Sequence, residues 1–438
     1  MKCEEVRDEM IAYLKSELDE ERKKEIDEHL ARCQGCRREL EMSQRVLHQT
    51  QAANEASVVR MVDEIIADAI DAGASDVHID PTREGAEVRL RIDGVLHTRK
   101  QLSAQERDAA VGRIKIMSEI PVAVSGIPQD GRISVRRDDV EYDLRMSVMP
   151  FVLGEKIVMR ILSRGKPLLG LEKLGFLPEQ LELVKSLIRQ PYGMVVVSGP
   201  TGAGKTTTLY SMLLEIRNPA LNIMTIEDPV ELLLDGVEQA QVNPRVGLTF
   251  AATIRAFLRQ DPDVIVVGEM RDLETGQLCM QASMTGHLVF GTLHTQDAIS
   301  VPRCLVDMGV EPWLVGTNLI GIVAQRLLRK VCPDCREEYT PSDEALEFLG
   351  LKNQVGKAKF YRGAGCEECR GTGVRGRTAI FEVLTIDPEL GRIIPDRSDA
   401  DAIRKRAVEK GFITMAEVAR KKVLDGITTA EEAYRVLA

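Results

Sequence analysis

The chain has 438 residues, 44% of them apolar and 29% charged, which is enough for two or three domains with full cores. Lysine and arginine number 58 against 68 acidic residues, a formal net charge of −10, and aromatics make up only 4%. That balance argues against broad contact with phosphate backbones and against stacking platforms for single strands, so no direct nucleic-acid partner is expected.

The opening Met1-Lys2-Cys3-Glu4-Glu5 is charged and lacks the apolar stretch of a signal peptide. No apolar run nears the roughly 18 residues that a spanning helix needs. A cytoplasmic chain is expected, with any membrane association peripheral. Residues 1–48 read as a small helical module. Val6, Met10, Tyr13, Leu14 and Leu18 recur at helical spacing, Asp19 is placed to cap a second helix with Ile26 and Leu30, and a third begins near Cys36 with Leu40 and Leu47. Three short helices bury little apolar area, so a staple is expected. Residues 49–56 read as a connection. An α/β domain follows over 57–162, opening on a helix with Val58, Val62, Ile65, Ile66 and Ala69. Its strands are placed at Asp76–Ile79, Glu87–Ile92, Arg132–Val135, Glu141–Val148 and Lys156–Ile161, and its second helix at about Gln105–Ser118. The glycine-punctuated stretch Ser163–Gly175 reads as a hinge linker.

From 176 to 438 the pattern becomes short β-branched strands alternating with helices. Met194–Val197, Asn222–Ile226, Val264–Val267 and Leu288–Thr292 fit buried parallel strands, and the last part, from about Pro388, is helical. The fold class is therefore α/β.

Gly199-Pro200-Thr201-Gly202-Ala203-Gly204-Lys205-Thr206 fits G-x-x-x-x-G-K-[ST] at every fixed position, between the strand Met194–Val197 and the helical run that opens at Thr207. Glycines let backbone N–H groups turn inward on phosphates, and the helix N-terminus adds partial positive charge. Lys205 is expected at the β- and γ-phosphates and the Thr206 hydroxyl on Mg²⁺. Thr207 is grouped with them as a binding residue, and ATP is the expected ligand. Two further strand ends are acidic. Asp263-Val264-Ile265-Val266-Val267-Gly268-Glu269 has the form of a Walker B strand, and Glu227-Asp228-Pro229-Val230-Glu231 follows Asn222–Ile226.

The order of motifs then becomes specific. Thr225–Glu231 is followed by Ile254-Arg255-Ala256-Phe257-Leu258-Arg259-Gln260-Asp261-Pro262-Asp263, by Gly268-Glu269-Met270-Arg271-Asp272 and by Thr285-Gly286-His287…His294-Thr295. This order resembles the secretion ATPase superfamily, with its Walker A, Asp box, Walker B and His box. The resemblance covers about residues 57–438. Ser75–Ile79, Arg91-Ile92-Asp93-Gly94 and Pro128–Arg132 resemble the domain that precedes the motor there. It implies a RecA-like P-loop core, an upstream PAS-like α/β domain, and a homohexamer with ATP held between the two. It implies work on an inner-membrane platform protein, and hence a peripheral place at the inner membrane. It also implies roles for single residues. Arg145 and Arg160 match arginines that face the phosphates, and Arg255 and Arg259 match others near the γ-phosphate, where a planar guanidinium suits spread charge. Glu227 orients or activates the attacking water, Glu269 is the metal-side carboxylate, and the two roles are open to exchange. His294 senses the γ-phosphate or transmits its loss, and His287 shares the same box.

Six of the nine cysteines fall in Cys-x-x-Cys pairs. Cys332-Pro333-Asp334-Cys335 and Cys366-Glu367-Glu368-Cys369 suit a closed tetrahedral Zn²⁺ site in an insertion at about 330–375, with free thiols or a redox pair as the alternative. Within the resembled family this insertion belongs to the assembly branch. Cys3 with His29-x-x-x-Cys33-x-x-Cys36 resembles the small zinc module of anti-sigma factors, and one Zn²⁺ there supplies the missing staple. The leading reading is a motor for a type II secretion pseudopilus or a type IV pilus. A regulatory protein that holds a sigma factor through the N-terminal module, and a DNA-acting P-loop machine, are the alternatives.

Overall fold

The computed structural model describes residues 1–14, 18–52, 55–163, 168–394 and 400–438. The chain divides into two compact units, Met1–Lys166 and Pro167–Ala438.

The first unit begins with α1 (Cys3–Leu14), α2 (Glu20–Arg32) and α3 (Gln34–Ala52). Asp19 caps α2 by accepting from the Arg22 N–H at 2.8 Å. Val6, Met10, Ile26, Leu30 and Cys36 form the shared core. The third helix starts two residues before its expected place and runs on through half of the stretch read as a connection. That stretch, Gln-Thr-Gln-Ala-Ala-Asn-Glu-Ala, holds no Gly or Pro to stop a helix. Residues 53–54 within it lie outside the described residues.

After α4 (Glu55–Asp71) come β1 (Asp76–Pro81), β2 (Gly85–Ile92), β3 (Val95–Ser103), α5 (Ala104–Met117), β4 (Gln129–Arg137), β5 (Val140–Phe151) and β6 (Gly154–Ser163). A Ser103/Glu106 capping box starts α5. The six strands form one antiparallel sheet in the order β3-β2-β1-β6-β5-β4. Alternate residues leave opposite faces. Val77, Ile79, Val88, Leu90, Leu144, Met146, Val148, Ile157 and Met159 pack with Val62, Ile66 and Ile114 of α4 and α5. The alternate positions carry many of the sheet's charges, among them Asp76, Asp80, Arg89, Arg91, Asp143, Arg145, Lys156 and Arg160. The register aligns Arg91, Asp76, Arg160, Arg145 and Arg132 across five strands in one row.

The second unit contains α6 (Pro178–Leu187), β7 (Gly193–Ser198), α7 (Lys205–Ile216), β8 (Ile223–Glu227), β9 (Glu238–Gln241), α8 (Phe250–Phe257), β10 (Val264–Val267) and α9 (Leu273–Met284). It continues with β11 (Leu288–Leu293), α10 (Ser300–Asp307), α11 (Pro312–Asn318) and β12 (Leu319–Val331). The remainder is β13 (Arg336–Tyr339), α12 (Asp343–Phe348), β14 (Phe360–Gly363), β15 (Val374–Thr385), α13 (Pro388–Ile393), α14 (Ala400–Glu409), α15 (Met415–Leu424) and α16 (Ala430–Leu437). Seven strands order as β15-β12-β7-β11-β10-β8-β9, parallel except for β15 at the edge. β13 and β14 form a separate antiparallel pair.

This sheet is covered on both faces. Met194, Val196, Ile226, Ile265, Val267 and Val289 enter one core, while Val195, Val197, Ile223, Val264, Val266 and Phe290 enter the other. The expected strands are therefore real, and their continuous apolar runs reflect burial on two sides.

Of the expected hinge, residues 164–167 lie outside the described residues. The rest is not free. Leu171 and Leu174 are buried in the second unit's core, Ala379 N–H donates to the Leu174 carbonyl at 3.2 Å, and the Lys422 ammonium donates to the Gly175 carbonyl at 2.8 Å. Leucines at 168, 171 and 174 give this half an apolar stripe that the glycines do not cancel.

Candidate nucleotide and metal sites

β7 is buried at every residue and delivers the chain to the glycine loop at its C-terminal end. Gly204 has φ +89° immediately before α7, a conformation that a side chain opposes, so glycine is needed where the loop turns into the helix. Thr206 and Thr207 are exposed on the first turn of α7. The Lys205 ammonium donates to the carbonyls of Gly199 at 2.7 Å and Pro200 at 3.2 Å, and lies 3.3 Å from His294 Nδ1. Ammonium has no acceptor capacity, so Nδ1 accepts, and Nε2–H donates to Glu269 at 2.9 Å. Glu269 also takes a hydrogen bond from Arg271 at 2.6 Å. Lys205, His294, Glu269 and Arg271 thus form one chain. Burial lowers the Lys205 pKa, partly opposed by the charge of Glu269. The Arg271 hydrogen bond holds the Glu269 carboxyl below its usual range despite partial burial, and His294 adds to it.

Glu227, at the end of β8, has different surroundings. It is 5% exposed. Its Oε1 accepts from Thr225 Oγ1 at 2.6 Å and Gln239 Nε2 at 3.1 Å, and its Oε2 accepts from the Tyr210 hydroxyl. Burial and the Glu227 charge push the Tyr210 pKa up, so the phenol stays protonated as donor. Both oxygens of Glu227 are engaged, whereas Glu269 lies beside Lys205 and His294.

The other expected residues are distributed. Arg255 pairs with Glu274 at 2.5 Å, and Arg259 donates to the Arg255 carbonyl at 2.7 Å. His287 precedes β11 and His294 follows it, so the two stand at opposite ends of one strand. His287 Nδ1 donates to the Ala282 carbonyl at 2.9 Å and closes the end of α9. In the first unit, Arg160 Nε donates to Asp76 at 3.0 Å, Arg91 lies 3.9 Å from the same carboxylate, and Arg145 sits between Arg160 and Arg132 in the row. Ser198 and Thr295, to which the sequence assigns no role of their own, have hydroxyls 2.6 Å apart that tie the strand before the loop to the residue after His294. The sequence also assigns no role to Tyr210 and Gln239 around Glu227. A polar residue inside an apolar strand or helix was the available signal for Ser198 and Tyr210.

The four cysteines of the insertion converge. Cys332 precedes and Cys335 ends the turn Pro333–Cys335 after β12, and Cys366 and Cys369 lie between β14 and β15. Their sulfurs all lie within 4.8 Å of one another, with 3.9 Å for Cys332–Cys366, 3.7 Å for Cys335–Cys369 and 3.6 Å for Cys366–Cys369. A disulfide needs about 2.05 Å. A tetrahedron with Zn–S near 2.3 Å has edges of about 3.8 Å. Backbone N–H groups of Gly365, Cys366 and Gly373 donate to sulfurs of this cluster. Burial opposes ionisation of Cys369, yet the bonds from Cys366 and Gly373 bring its pKa down to about 6.

Cys3, His29, Cys33 and Cys36 form a second cluster within the same limit. Cys3 Sγ lies 3.6 Å from His29 Nε2 and 3.7 Å from Cys33 Sγ. His29 Nδ1 is 3.1 Å from the Met1 carbonyl, which only accepts, so Nε2 carries the lone pair that faces the sulfurs. Both donor sets fit Zn²⁺.

Comparison with known proteins gives the same picture. Residues 51–435 match the family described as Type II/IV secretion system protein, and residues 3–37 match a putative zinc-finger family. A type IV pilus assembly ATPase, PilB of Thermus thermophilus, is 45% identical over 380 residues, covering 86% of this chain and 43% of its own length. The type II secretion system ATPase E of Vibrio cholerae is 42% identical over 386 residues, covering 88% of this chain and 76% of its own length. The chain thus spans less than half of the first of these relatives. A crystal structure of the pilus retraction motor PilT with bound ADP aligns with TM-score 0.58 and 28% identity, over 85% of this chain and 96% of that one. The ATPase DotB of Legionella pneumophila aligns with TM-score 0.65 at 22% identity, a likeness of fold, over 86% of this chain and 95% of that one. The family match runs through both units, from before α4 to within α16, and the chain belongs to the Type II/IV secretion system protein family.

Proposed function

We propose that this chain is an ATPase whose turnover drives assembly of a type II secretion pseudopilus or a type IV pilus, acting as a homohexamer on an inner-membrane platform protein. The observation that carries the reading is the chain Lys205–His294–Glu269, which ties the phosphate loop, the His box and the Walker B strand end into one polar site. No described helix is long and apolar enough to cross a membrane. Attachment to the inner membrane through the platform protein is part of the proposal.

The Lys205 ammonium donates to its own loop carbonyls and to His294, all uncharged acceptors. A triphosphate offers stronger, charged acceptors, and Lys205 leaves Gly199, Pro200 and His294 for them. His294 then loses its donor at Nδ1 and keeps Glu269. The loop after it, fixed to Ser198 through Thr295, feels that exchange. Thr206 and Glu269 would hold Mg²⁺, which offsets charge on the β- and γ-phosphates when bound. Glu227 is assigned to the attacking water: it accepts from Thr225 and Gln239 at Oε1 and from Tyr210 at Oε2, and a carboxylate with about four acceptor sites keeps one on Oε2 for that water. Arg145, Arg160, Arg255 and Arg259 are assigned to charge on the phosphate oxygens. The two cysteine clusters are assigned as closed structural Zn²⁺ sites.

Sedimentation and ATP hydrolysis by the full chain test this. Mg²⁺-dependent turnover with a six-subunit species is expected. A chain that stays monomeric with ATP and a platform protein present would remove the ring, and absence of turnover in every state would remove the enzyme.

A further inference from the structure

Gln325 lies on β12 one residue past Ala324, the partner of Ser198 in the parallel β12–β7 pairing. It therefore stands where β7 gives way to the phosphate loop. Its side chain is 1% exposed, and its Nε2 donates to the Ala203 carbonyl at 2.7 Å. Two loop glycines are seated on the same residue. A Cβ at Gly199 would come 2.4 Å from the Gln325 main-chain oxygen, and one at Gly204 would come 3.3 Å from Gln325 Nε2.

The peptide unit joining Ala203 to Gly204 is trans. In a planar trans unit the C=O and the N–H point in opposite directions. Holding the Ala203 oxygen toward β12 therefore turns the Gly204 N–H away from β12. We propose that Gln325 is a positioning residue of the phosphate loop: by fixing the Ala203 carbonyl it aims the Gly204 N–H at the bound phosphate. The proposal rests on the nucleotide reading above.

Gln325 Oε1 argues that stability alone does not account for this side chain. It is buried and has no hydrogen-bond partner among the described residues. An unmet buried acceptor costs stability. Methionine, of similar length and shape, removes that acceptor and frees the Ala203 carbonyl instead. One unmet group is exchanged for another, and the loop loses its orientation.

The test uses the full chain with Gln325→Met and Gln325→Asn, the second keeping an amide too short to reach Ala203. Equilibrium binding of Mg²⁺-ADP and Mg²⁺-ATP is measured beside the melting temperature without nucleotide. Both variants should bind each nucleotide about tenfold more weakly, the scale of one oriented hydrogen bond. The melting temperature of Gln325→Met should stay within about 3 °C of wild type, while Gln325→Asn, which leaves its own amide and the Ala203 carbonyl unmet, should melt lower. At saturating ATP, kcat should change by less than about twofold, as for a group that aids binding in ground and transition states alike. Wild-type affinity in the variants overturns the proposal, and so does an affinity loss in Gln325→Met that comes with a fall in its melting temperature, which marks a packing role. If the wild-type chain binds neither nucleotide, the nucleotide reading itself fails and this inference goes with it.

Discussion

The sheets of the two units put their reactive side chains in different places. In the first unit, Val77, Leu144 and Met159 turn to the helices, while Asp76, Arg145 and Arg160 leave the other face. An antiparallel sheet covered on one side can carry charge across its strands, and here four arginines share one row with a single aspartate. In the second unit both faces are apolar, and β7, β8, β10 and β11 are buried throughout. In those four strands charge is confined to the C-terminal ends, where Glu227 closes β8 and Lys205, Glu269 and His294 follow β7, β10 and β11. A parallel sheet closed on both faces leaves only its ends for chemistry. The arginine row places positive charge on a face of its own unit, and the strand ends of the other unit gather the groups proposed to act on phosphate and water.

The sharpest division expected is between the two carboxylates. Glu269→Gln and Glu227→Gln should each lower turnover by at least about a hundredfold, the scale of losing a positioned acid–base or electrostatic group. They should part in binding. Glu269→Gln should weaken Mg²⁺-ATP, and Glu227→Gln, buried behind Tyr210, should leave it near wild type. The reverse pattern in a Mg²⁺ titration would exchange their roles.

A row residue should do less than a strand end. Arg145→Ala should lower turnover by about tenfold, short of losing a full arginine finger, while nucleotide affinity stays within about twofold. Unchanged kcat would detach the arginine row from the reaction.

The cysteine clusters should affect stability and not chemistry. Two zinc ions per chain are expected by elemental analysis. Cys36→Ser should melt the first three helices, because among the described residues their buried apolar core beyond the ligands is Val6, Met10, Ile26 and Leu30. Cys366→Ser should lower the melting temperature of a much larger core and leave KM for ATP unchanged. Normal zinc content in either variant would remove that cysteine from its site.

The phosphate loop was legible because its chemistry is written in consecutive residues between a strand and a helix. The upstream helix and the core strands were legible for a related reason, since apolar residues at 3.6 or in unbroken runs report burial directly. β12 was not, because Gly321, Gln325, Arg326, Arg329 and Lys330 interrupt both alternation and apolar continuity. Gln325, the residue proposed to orient the loop, sits in that interruption. The surroundings of Glu227 were not legible either. Tyr210 lies 17 residues before it and Gln239 lies 12 after, on separate elements that only the fold joins. His287 and His294 look alike in sequence, yet a six-residue strand puts one against a helix end and the other against Lys205.

Steady-state ATP hydrolysis by the full chain, compared with Lys205→Ala, tests the central claim most directly. Lys205 contacts carbonyls and His294 and belongs to no apolar core, so the variant should fold with wild-type melting behaviour and zinc content. The account predicts that its Mg²⁺-dependent turnover falls to background. Hydrolysis at the wild-type rate in the folded variant would contradict it.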